Sequence, residues 1–250
     1  MTKWCNWSYS GWNMRCRTWS RYARIPKHFS LDDIDMVSCF GKIFITTNKS
    51  VYRLQGGVFT EICTFSNSSG SRARVEYHRP IVHKDLIYII NHICLIKFNP
   101  KTFKYTTVRV RLPINGTFRL AASDTHIYAV EEQTYTDNQA FEMKFSDETW
   151  EGISVIPSVG TSHSIFWYKS NLYAICDWLI CYEPRSDSWR KVGHNKSDVK
   201  SLCKALQIGN DVYVVGSDEG ISRLDIPNNN SRTIWSRTGL HPSLACVLTE

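Results

Sequence analysis

Apolar and polar positions along the chain follow the short periods of β-strands, and no stretch sustains the i, i+3, i+4, i+7 spacing of a helix. In "DLIYIINHICLIKFNPKTFKYTTVRVRLP" (residues 85–113), Asn91-His92 separates two apolar runs, and Asn99-Pro100-Lys101 precedes an alternating run. The apolar runs are typical of covered strands, and the alternating run is typical of a strand with one wet face. Asn and Pro favour turns. The segment therefore predicts short strands joined by tight turns.

The same pattern recurs along the chain. An aromatic residue in the first apolar run returns at spacings of 44, 40, 45 and 40 residues, at Phe44, Tyr88, Tyr128, Tyr173 and Tyr213. In each unit the second run ends on a large apolar residue and an aromatic follows, giving the pairs Leu54 and Phe59, Phe98 and Phe103, Phe145 and Trp150, Tyr182 and Trp189, and Leu224 and Trp235. A period of 40–45 residues is the signature of a repeat architecture.

Each repeat reads as a four-stranded antiparallel sheet with two apolar faces, and radial stacking of such sheets buries both faces. Trp4, Met14 and Trp19 stand 40 residues before Phe44, Leu54 and Phe59. The N-terminal segment therefore supplies strands two, three and four of a blade, and "HPSLACVLTE" supplies its first strand. We therefore predict an all-β fold, a six-bladed β-propeller of four-stranded antiparallel blades, closed by the C-terminal strand joining the N-terminal partial blade. The predicted blades of this single domain (1–250) are 1–27 plus 241–250, 28–66, 76–113, 117–157, 161–195 and 201–240.

The repeats resemble the kelch repeat, whose unit has an "IYVIGG"-like second strand, a "YDP"-like third-strand end and a tryptophan opening the fourth strand. The matching pairs are "LIYIIN" with "KFNPKTF", "IYAVEE" with "KFSDETW", "LYAICD" with "CYEPRSDSW", and "VYVVGS" with "RLDIP". The diglycine of the kelch second strand is absent, so the chain is similar to a divergent kelch protein. WD repeats share the period, but the chain has no Trp-Asp dipeptide.

This resemblance implies a propeller that binds a protein segment through its loop face. Many kelch proteins carry a BTB domain and serve as substrate receptors of cullin-type ubiquitin ligases, whereas this sequence has no BTB or BACK segment. It is then either a stand-alone propeller or the substrate-binding part of a longer protein. The alternative is a non-adaptor scaffold that binds actin or another cytoskeletal protein.

Candidate binding residues come from the position nine residues before each repeating aromatic. This position starts an inner strand and is cationic in three repeats, at Arg79, Arg119 and Lys204. We expect these charges to converge at the mouth of the ring, where they suit a carboxylate or phosphate on an acidic protein segment. In the alternative interpretation each side chain binds nearby loop carbonyls.

Further candidates lie in loops, since arginine and aromatic side chains are common interface anchors. The polar loop of residues 66–80 and the insertion at 131–140 are predicted to be exposed, and Trp178 stands beside a tight turn, either as an anchor or packed on the next blade. The loop candidates are Arg72, Arg74, Tyr77, His78, Tyr135 and Trp178.

Composition narrows the class of partner and the location. The net charge is +7 and the pI is about 8.9, which favours acidic partners. The basic, tryptophan-rich segment before Asp32 fits an outer strand, so no nucleic acid is expected. The nine cysteines form no Cys-x-x-Cys motif, and the start lacks an apolar leader, so we expect a cytoplasmic protein. The longest apolar stretch is too short to span a membrane.

Catalytic chemistry finds little support. "FSDETW" and "RSDSW" resemble the sialidase Asp-box without its glycine, and no acid and tyrosine pair can be nominated as a nucleophile, so a sialidase-like glycoside hydrolase is a remote alternative. The eight histidines show no ligand spacing for a copper site of the galactose oxidase kind. We predict no catalytic residues, no metal and no cofactor.

Overall fold

The computed structural model describes an all-β chain. It covers residues 3–6, 10–13, 18–20, 34–47, 49–65, 80–91, 94–109, 117–132, 138–157, 164–176, 178–194, 203–208, 210–216, 220–228, 230–235 and 246–248. The chain divides into two compact units, unit 1 (Met1–Val110 and Ser243–Glu250) and unit 2 (Arg111–Pro242). Each unit contains three of the four-stranded antiparallel sheets formed by the described residues.

Unit 1 contains strands from both chain ends. The terminal sheet has the order β24-β1-β2-β3 and the strands β1 (Lys3–Asn6), β2 (Ser10–Asn13), β3 (Thr18–Ser20) and β24 (Cys246–Leu248). The next sheet consists of β4 (Asp35–Cys39), β5 (Lys42–Thr46), β6 (Ser50–Gln55) and β7 (Val58–Thr64). The third consists of β8 (Ile81–His83), β9 (Leu86–Asn91), β10 (Cys94–Asn99) and β11 (Lys104–Arg109).

Unit 2 contains three sheets in which sequence order and spatial order coincide. The first consists of β12 (Thr117–Ala122), β13 (His126–Glu132), β14 (Asn138–Lys144) and β15 (Trp150–Ile156). The second consists of β16 (Ser164–Tyr168), β17 (Asn171–Ile175), β18 (Trp178–Glu183) and β19 (Ser188–His194). The third consists of β20 (Cys203–Ile208), β21 (Asp211–Gly216), β22 (Gly220–Asp225) and β23 (Asn230–Trp235).

The predicted count of six blades is wrong and is corrected to five. Five blades, β4–β7, β8–β11, β12–β15, β16–β19 and β20–β23, are each built by one continuous segment. The sixth predicted blade, residues 1–27 plus 241–250, is reduced to the small terminal sheet, whose strands have three or four residues each. A sheet in which all four strands are this short offers less surface for packing than the other sheets, in which most strands have five to seven residues.

The pairing of the chain ends was predicted correctly. Strand β24 pairs antiparallel with β1, and Lys3, Trp4 and Cys5 lie opposite Leu248, Val247 and Cys246. The contact joins residues more than 240 positions apart. Because the entropy of closing a loop must be lost before such a pairing forms, it is expected to form late in folding.

Each blade has two ends, which differ in the strands that are joined there. We call the end where the first strand begins the loop end, since the second and third strands also join there. We call the opposite end, where the first strand joins the second and the third joins the fourth, the turn end. Two-residue hairpin turns at the turn end place Phe40-Gly41, Lys84-Asp85 and Lys169-Ser170 at positive φ, as type I′ turns require.

A second kind of turn at the turn end joins the third and fourth strands. Asn99 illustrates it, because its Oδ1 accepts hydrogen bonds from the backbone N–H of Lys101 (2.9 Å) and Thr102 (3.2 Å). This confirms the turn predicted at Asn99-Pro100-Lys101. Phe103, Glu148 and Asp187 occupy the left-handed position of three such turns.

The repeating aromatics lie in the second strand of each blade and are buried. Trp150 and Trp189 lie at the start of a fourth strand, as predicted. The equivalent aromatics of two other blades do not lie at the start of a fourth strand. Phe103 lies in the turn before β11 with φ of 58°, and Trp235 is the last residue of β23, so spacing alone misplaced both.

Neighbouring blades pack through apolar side chains. In unit 1 one cluster joins β4–β7 to β8–β11, with Phe44 and Phe98 fully buried and their rings edge to face at 6.4 Å. In unit 2 one cluster joins β12–β15 to β16–β19 and another joins β16–β19 to β20–β23. Burial of each such aromatic contributes roughly 1.5–3 kcal/mol to stability.

Candidate functional site

The first strand of a blade is its inner strand, and four of the inner strands carry a polar residue near the loop end, at the position nine residues before the repeating aromatic. These residues are Asp35, Arg119, Ser164 and Lys204, which lie opposite Thr46, Val130, Ile175 and Val215. The identical register confirms that the position nine residues before each repeating aromatic is structurally equivalent from blade to blade. Polar side chains at one level of successive inner strands are the first candidate for a site.

All four side chains at this position are buried, which limits their contact with a partner. Arg119 is 1% exposed and Lys204 is 8% exposed, so both cations are enclosed by the protein. Ser164 Oγ accepts a hydrogen bond of 3.0 Å from the Ala205 backbone N–H, which ties the inner strand β16 to β20. Asp35 is also buried, and its Oδ1 accepts from the Met36 backbone N–H at 2.6 Å. A binding role for Arg119 and Lys204 stays a prediction.

Trp178 lies at the first position of β18, at the loop end of its blade. Its ring is partly buried and packs against the apolar cluster between β12–β15 and β16–β19. The Lys191 Nζ lies 4.2 Å from the ring centroid, a cation–π contact, and the backbone N–H of Cys176 donates to the Trp178 carbonyl at 2.9 Å. The indole is therefore held in place while part of it faces solvent.

Six predicted site residues lie outside the described residues. They are Arg72, Arg74, Tyr77, His78, Arg79 and Tyr135. Among the predicted residues that the structure describes, Arg119, Lys204 and Trp178 all lie at the loop end of a unit 2 blade.

The structure reveals a hydrogen-bonded network between two blades that the sequence reasoning missed. Asp187 Oδ1 accepts from the Ser154 backbone N–H (2.8 Å) and from Tyr182 Oη (2.8 Å), and Ser154 Oγ donates to the Asp187 carbonyl. Trp189 Nε1 donates to the Ser154 carbonyl at 2.8 Å. These contacts fasten the outer strand β15 to the β18–β19 turn. The "RSDSW" motif, which resembles an Asp-box, contains Asp187 and Trp189 and is the signal that the sequence offers for this contact.

The network sets the ionisation of its members. The hydrogen bonds that Asp187 accepts, first from Ser154 and then from Tyr182, lower the pKa of its carboxyl group. Burial and the bond to Asp187 raise the pKa of Tyr182. At neutral pH Asp187 is thus a carboxylate that accepts and Tyr182 is a phenol that donates, so the hydrogen bond between them is formed.

A second feature missed by the sequence reasoning lies at the turn end of unit 1. The Lys101 Nζ lies 4.0 Å from the centroid of the Phe40 ring and 3.1 Å from Asp85 Oδ2. The three residues come from three different turns of two adjacent blades. Next to them, burial and the negative charge of Asp85 raise the pKa of the Cys39 thiol to about 11, so this thiol is a poor nucleophile.

Within the described residues, no group of three or more His, Cys, Asp or Glu side chains is placed to hold a metal ion. Six cysteines whose side chains the structure describes, Cys39, Cys63, Cys94, Cys176, Cys181 and Cys203, are free thiols. In the described part of the chain, the structure contains no helix that could span a lipid bilayer. The predicted cytoplasmic location stays a prediction.

Comparisons with known proteins support the fold. No family model matches the chain, and no curated protein matches it, so the kelch family is not confirmed. A chain in the crystal structure of a nidogen/laminin complex aligns with a TM-score of 0.68 at 10% identity, covering 100% of this chain and 99% of that chain. The extracellular domain of a protein named as a hybrid two-component system, from B. thetaiotaomicron, aligns with a TM-score of 0.59 at 10% identity, covering 87% of this chain and 29% of that chain.

At this level of identity the likeness establishes the fold alone. The protein is a β-propeller of four-stranded antiparallel blades. Because propellers host many unrelated functions, the function must be argued from the site.

Proposed function

We propose that this propeller is a protein-binding module that recognises a segment of a partner protein through its loop end. The observation that carries the proposal is Trp178, a partly exposed indole fixed at the first position of a blade strand and covered on one side by Lys191. Tryptophan is among the residues that contribute most to binding at protein interfaces. The propeller supplies the rigid scaffold on which loop-end side chains can vary.

The position of Trp178 favours recognition because the ring is already ordered before binding. It packs on the apolar cluster between two blades, and its backbone carbonyl accepts a hydrogen bond from Cys176. A side chain that is already immobile loses little entropy when a partner covers its remaining exposed surface. Lys191 adds a positive charge beside the ring, which suits a partner segment that carries a carboxylate.

The finer proposal follows the kelch resemblance. In this form the protein is the substrate-binding part of a cullin-type ubiquitin ligase adaptor, and the alternative is a scaffold that binds actin or another cytoskeletal protein. The repeat motifs support the first form, and no catalytic role is proposed. Co-purification of a cullin with the chain from cell extract would support the adaptor, whereas co-sedimentation with filamentous actin would support the scaffold.

In the test, the purified chain is immobilised on a resin and incubated with extract of its own cells. Each captured protein is then purified and titrated against the chain by calorimetry. We expect Trp178→Ala to weaken binding by about 10-fold or more and Trp178→Phe to weaken it less. Lys169→Ala is the matched control, because Lys169 also lies over an aromatic ring, that of Tyr168, but at the turn end. Binding that is unchanged by Trp178→Ala in a folded variant would refute the loop-end site.

A further inference from the structure

The turn end of unit 1 presents an aromatic ring to solvent in a costly backbone conformation. Phe40 is 42% exposed, and its φ is 51°. Large side chains are rare at positive φ, and Asn or Gly is the usual choice in such a hairpin turn. An exposed aromatic at a position that disfavours it is a candidate for a functional side chain.

Contacts from the neighbouring blade hold this ring in place. Lys101 covers one face of Phe40 at 4.0 Å and also contacts Asp85 at 3.1 Å. The side chains of Lys101 and Asp85 are 59% and 64% exposed, so the group lies at the surface. Arg53 lies over the ring of Phe103 at 5.3 Å and joins the same two blades a second time. The turns of these two blades therefore form one continuous surface.

The charge of this surface is strongly positive. Its described turns and their flanking strand residues contain four exposed lysines, Lys42, Lys84, Lys101 and Lys104, and one acidic residue, Asp85. The corresponding described turns of unit 2 contain three basic residues, Lys144, Lys169 and Arg185, and seven acidic residues, Asp124, Asp147, Glu148, Glu183, Asp187, Asp211 and Asp225. A positive character is thus specific to the turn end of unit 1.

The same asymmetry runs through the sequence of the two units. Unit 1 contains 17 Lys and Arg against 7 Asp and Glu, and unit 2 contains 13 against 16. The excess charge of the protein therefore resides in unit 1. A surface of one sign raises the rate of encounter with a partner of the opposite sign.

We infer that the turn-end surface of Phe40, Lys42, Lys84, Lys101 and Lys104 is a docking site for an acidic polypeptide segment. The lysines receive the carboxylates of the segment, and an apolar side chain of the segment covers the open face of Phe40. This site is separate from the loop-end site around Trp178, so either can be correct without the other.

Two features favour a polypeptide over a nucleic acid as the occupant. Asp85 lies among the lysines and can accept a hydrogen bond from a backbone N–H of a polypeptide, a donor that the phosphodiester backbone of a nucleic acid lacks. One face of Phe40 is already covered by Lys101, and the single ring provides no row of aromatics for successive bases to stack on. A second copy of this chain, presenting its acidic unit 2 turns, is the other occupant that the experiment must separate.

The experiment measures fluorescence anisotropy of a labelled peptide made of glutamates with two central leucines. Peptides with serine or lysine in place of glutamate, and an oligothymidylate of similar length, serve as comparison probes. We expect the acidic peptide to bind and the triple variant Lys84→Ala, Lys101→Ala, Lys104→Ala to weaken binding by about 10-fold or more. The matched control, Lys144→Ala, Lys169→Ala, Arg185→Ala, removes three charges from the turn end of unit 2 and should change affinity less than about twofold.

Phe40→Gly provides a second, independent test, because glycine adopts a φ of 51° without strain and removes the ring. We expect weaker peptide binding by about fivefold with no loss of folding. The inference is overturned if the acidic peptide does not bind, if the triple lysine variant binds it as tightly as the parent, or if oligothymidylate binds more tightly than the peptide. It is also overturned if sedimentation shows self-association that the same variants abolish, since a second copy then occupies the surface.

Discussion

Apolar clusters join neighbouring blades in both units, but unit 2 adds hydrogen bonds between two of its blades. In unit 2, Asp187, Ser154 and Trp189 join adjacent blades by hydrogen bonds that involve backbone groups. In unit 1 the contacts between β4–β7 and β8–β11 include two edge-to-face pairs, Phe44 with Phe98 and Phe65 with Tyr105, and cations over rings. Hydrogen bonds depend on direction, whereas apolar packing depends on volume. The same blade can therefore be joined to its neighbour by either means, and the two joints should respond differently to substitution.

The largest effect is expected from removing volume in unit 1. Phe98 is fully buried, so Phe98→Ala should lower the free energy of unfolding by about 4 kcal/mol through lost burial and the cavity left behind. Phe98→Leu keeps much of the volume and should cost about 1.5 kcal/mol. Urea denaturation measures both. A loss below about 1 kcal/mol for Phe98→Ala would show that the contact between β4–β7 and β8–β11 does not depend on packing.

A smaller effect is expected from the hydrogen-bonded joint of unit 2. Tyr182→Phe should cost about 1 kcal/mol, because it removes one hydrogen bond to the carboxylate. Asp187→Ala should cost more, because it removes the hydrogen bonds from both Tyr182 and Ser154 and places alanine at a φ of 44°. A double-mutant cycle should give a coupling of about 0.5 kcal/mol or more. Asp147→Ala is the matched control, since its described hydrogen bonds stay within its own turn, to Thr149. Equal losses for Asp147→Ala and Asp187→Ala would contradict a role between blades.

Acid should weaken the contact that Asp187 makes between β12–β15 and β16–β19. The pKa of Asp187 is lowered in the folded state, so its contribution is present above the unfolded pKa of about 3.9 and is lost as the pH falls through the lower folded value. The parent should therefore lose stability relative to Asp187→Asn as the pH falls from about 5 to about 2. Parallel pH profiles of the two proteins in thermal unfolding would refute the assignment.

Glu61 in unit 1 provides a control for Asp187. Its pKa is also lowered, by hydrogen bonds from Thr64, Tyr52 and Ser50, but all of these lie in β6 and β7 of one blade. Glu61→Gln should reduce the acid sensitivity of stability, as Asp187→Asn does. Hydrogen exchange across β15 should respond to Asp187→Asn and not to Glu61→Gln, because Glu61 does not join that strand to its neighbour.

The smallest effect on stability is expected at Phe40. Phe40→Gly relieves a positive φ and loses one cation–π contact, so the two changes should offset each other to within about 1 kcal/mol. Thermal unfolding measures the difference. A loss well above that range would mean that Phe40 is a structural residue of the turn, in contrast to its proposed role at the surface.

Much of the fold could be predicted because the determinants are local and periodic. Tyr88, Tyr128, Tyr173 and Tyr213 mark second strands since each blade must bury the same face, and Asn99-Pro100 marks a turn since both residues favour that backbone. The blade count failed because the terminal segments match the repeat by spacing, and spacing does not reveal that their strands are three or four residues long. Trp235 was misplaced because spacing does not give the position of a residue within its strand, and Trp235 ends β23.

The candidate site was less predictable because exposure depends on how neighbouring blades pack. The equivalence of Arg119 and Lys204 follows from the repeat, but their burial depends on side chains from other blades. Asp187 and Ser154 are 33 positions apart and belong to different repeats, and Phe40 meets Lys101 across a blade boundary. Contacts of this kind leave no periodic trace in a single sequence.

The pairing of β1 with β24 tests the account most directly, since it joins the two ends of the chain into one sheet. The backbone register places Cys5 opposite Cys246, and opposed residues of an antiparallel pair are close enough for a disulfide. Mild oxidation of the folded protein followed by peptide mapping should recover a cross-link between Cys5 and Cys246, and unfolding in urea before oxidation should abolish its preference. Oxidation of the folded protein that links Cys246 to a different cysteine, or leaves it unlinked, would contradict the account.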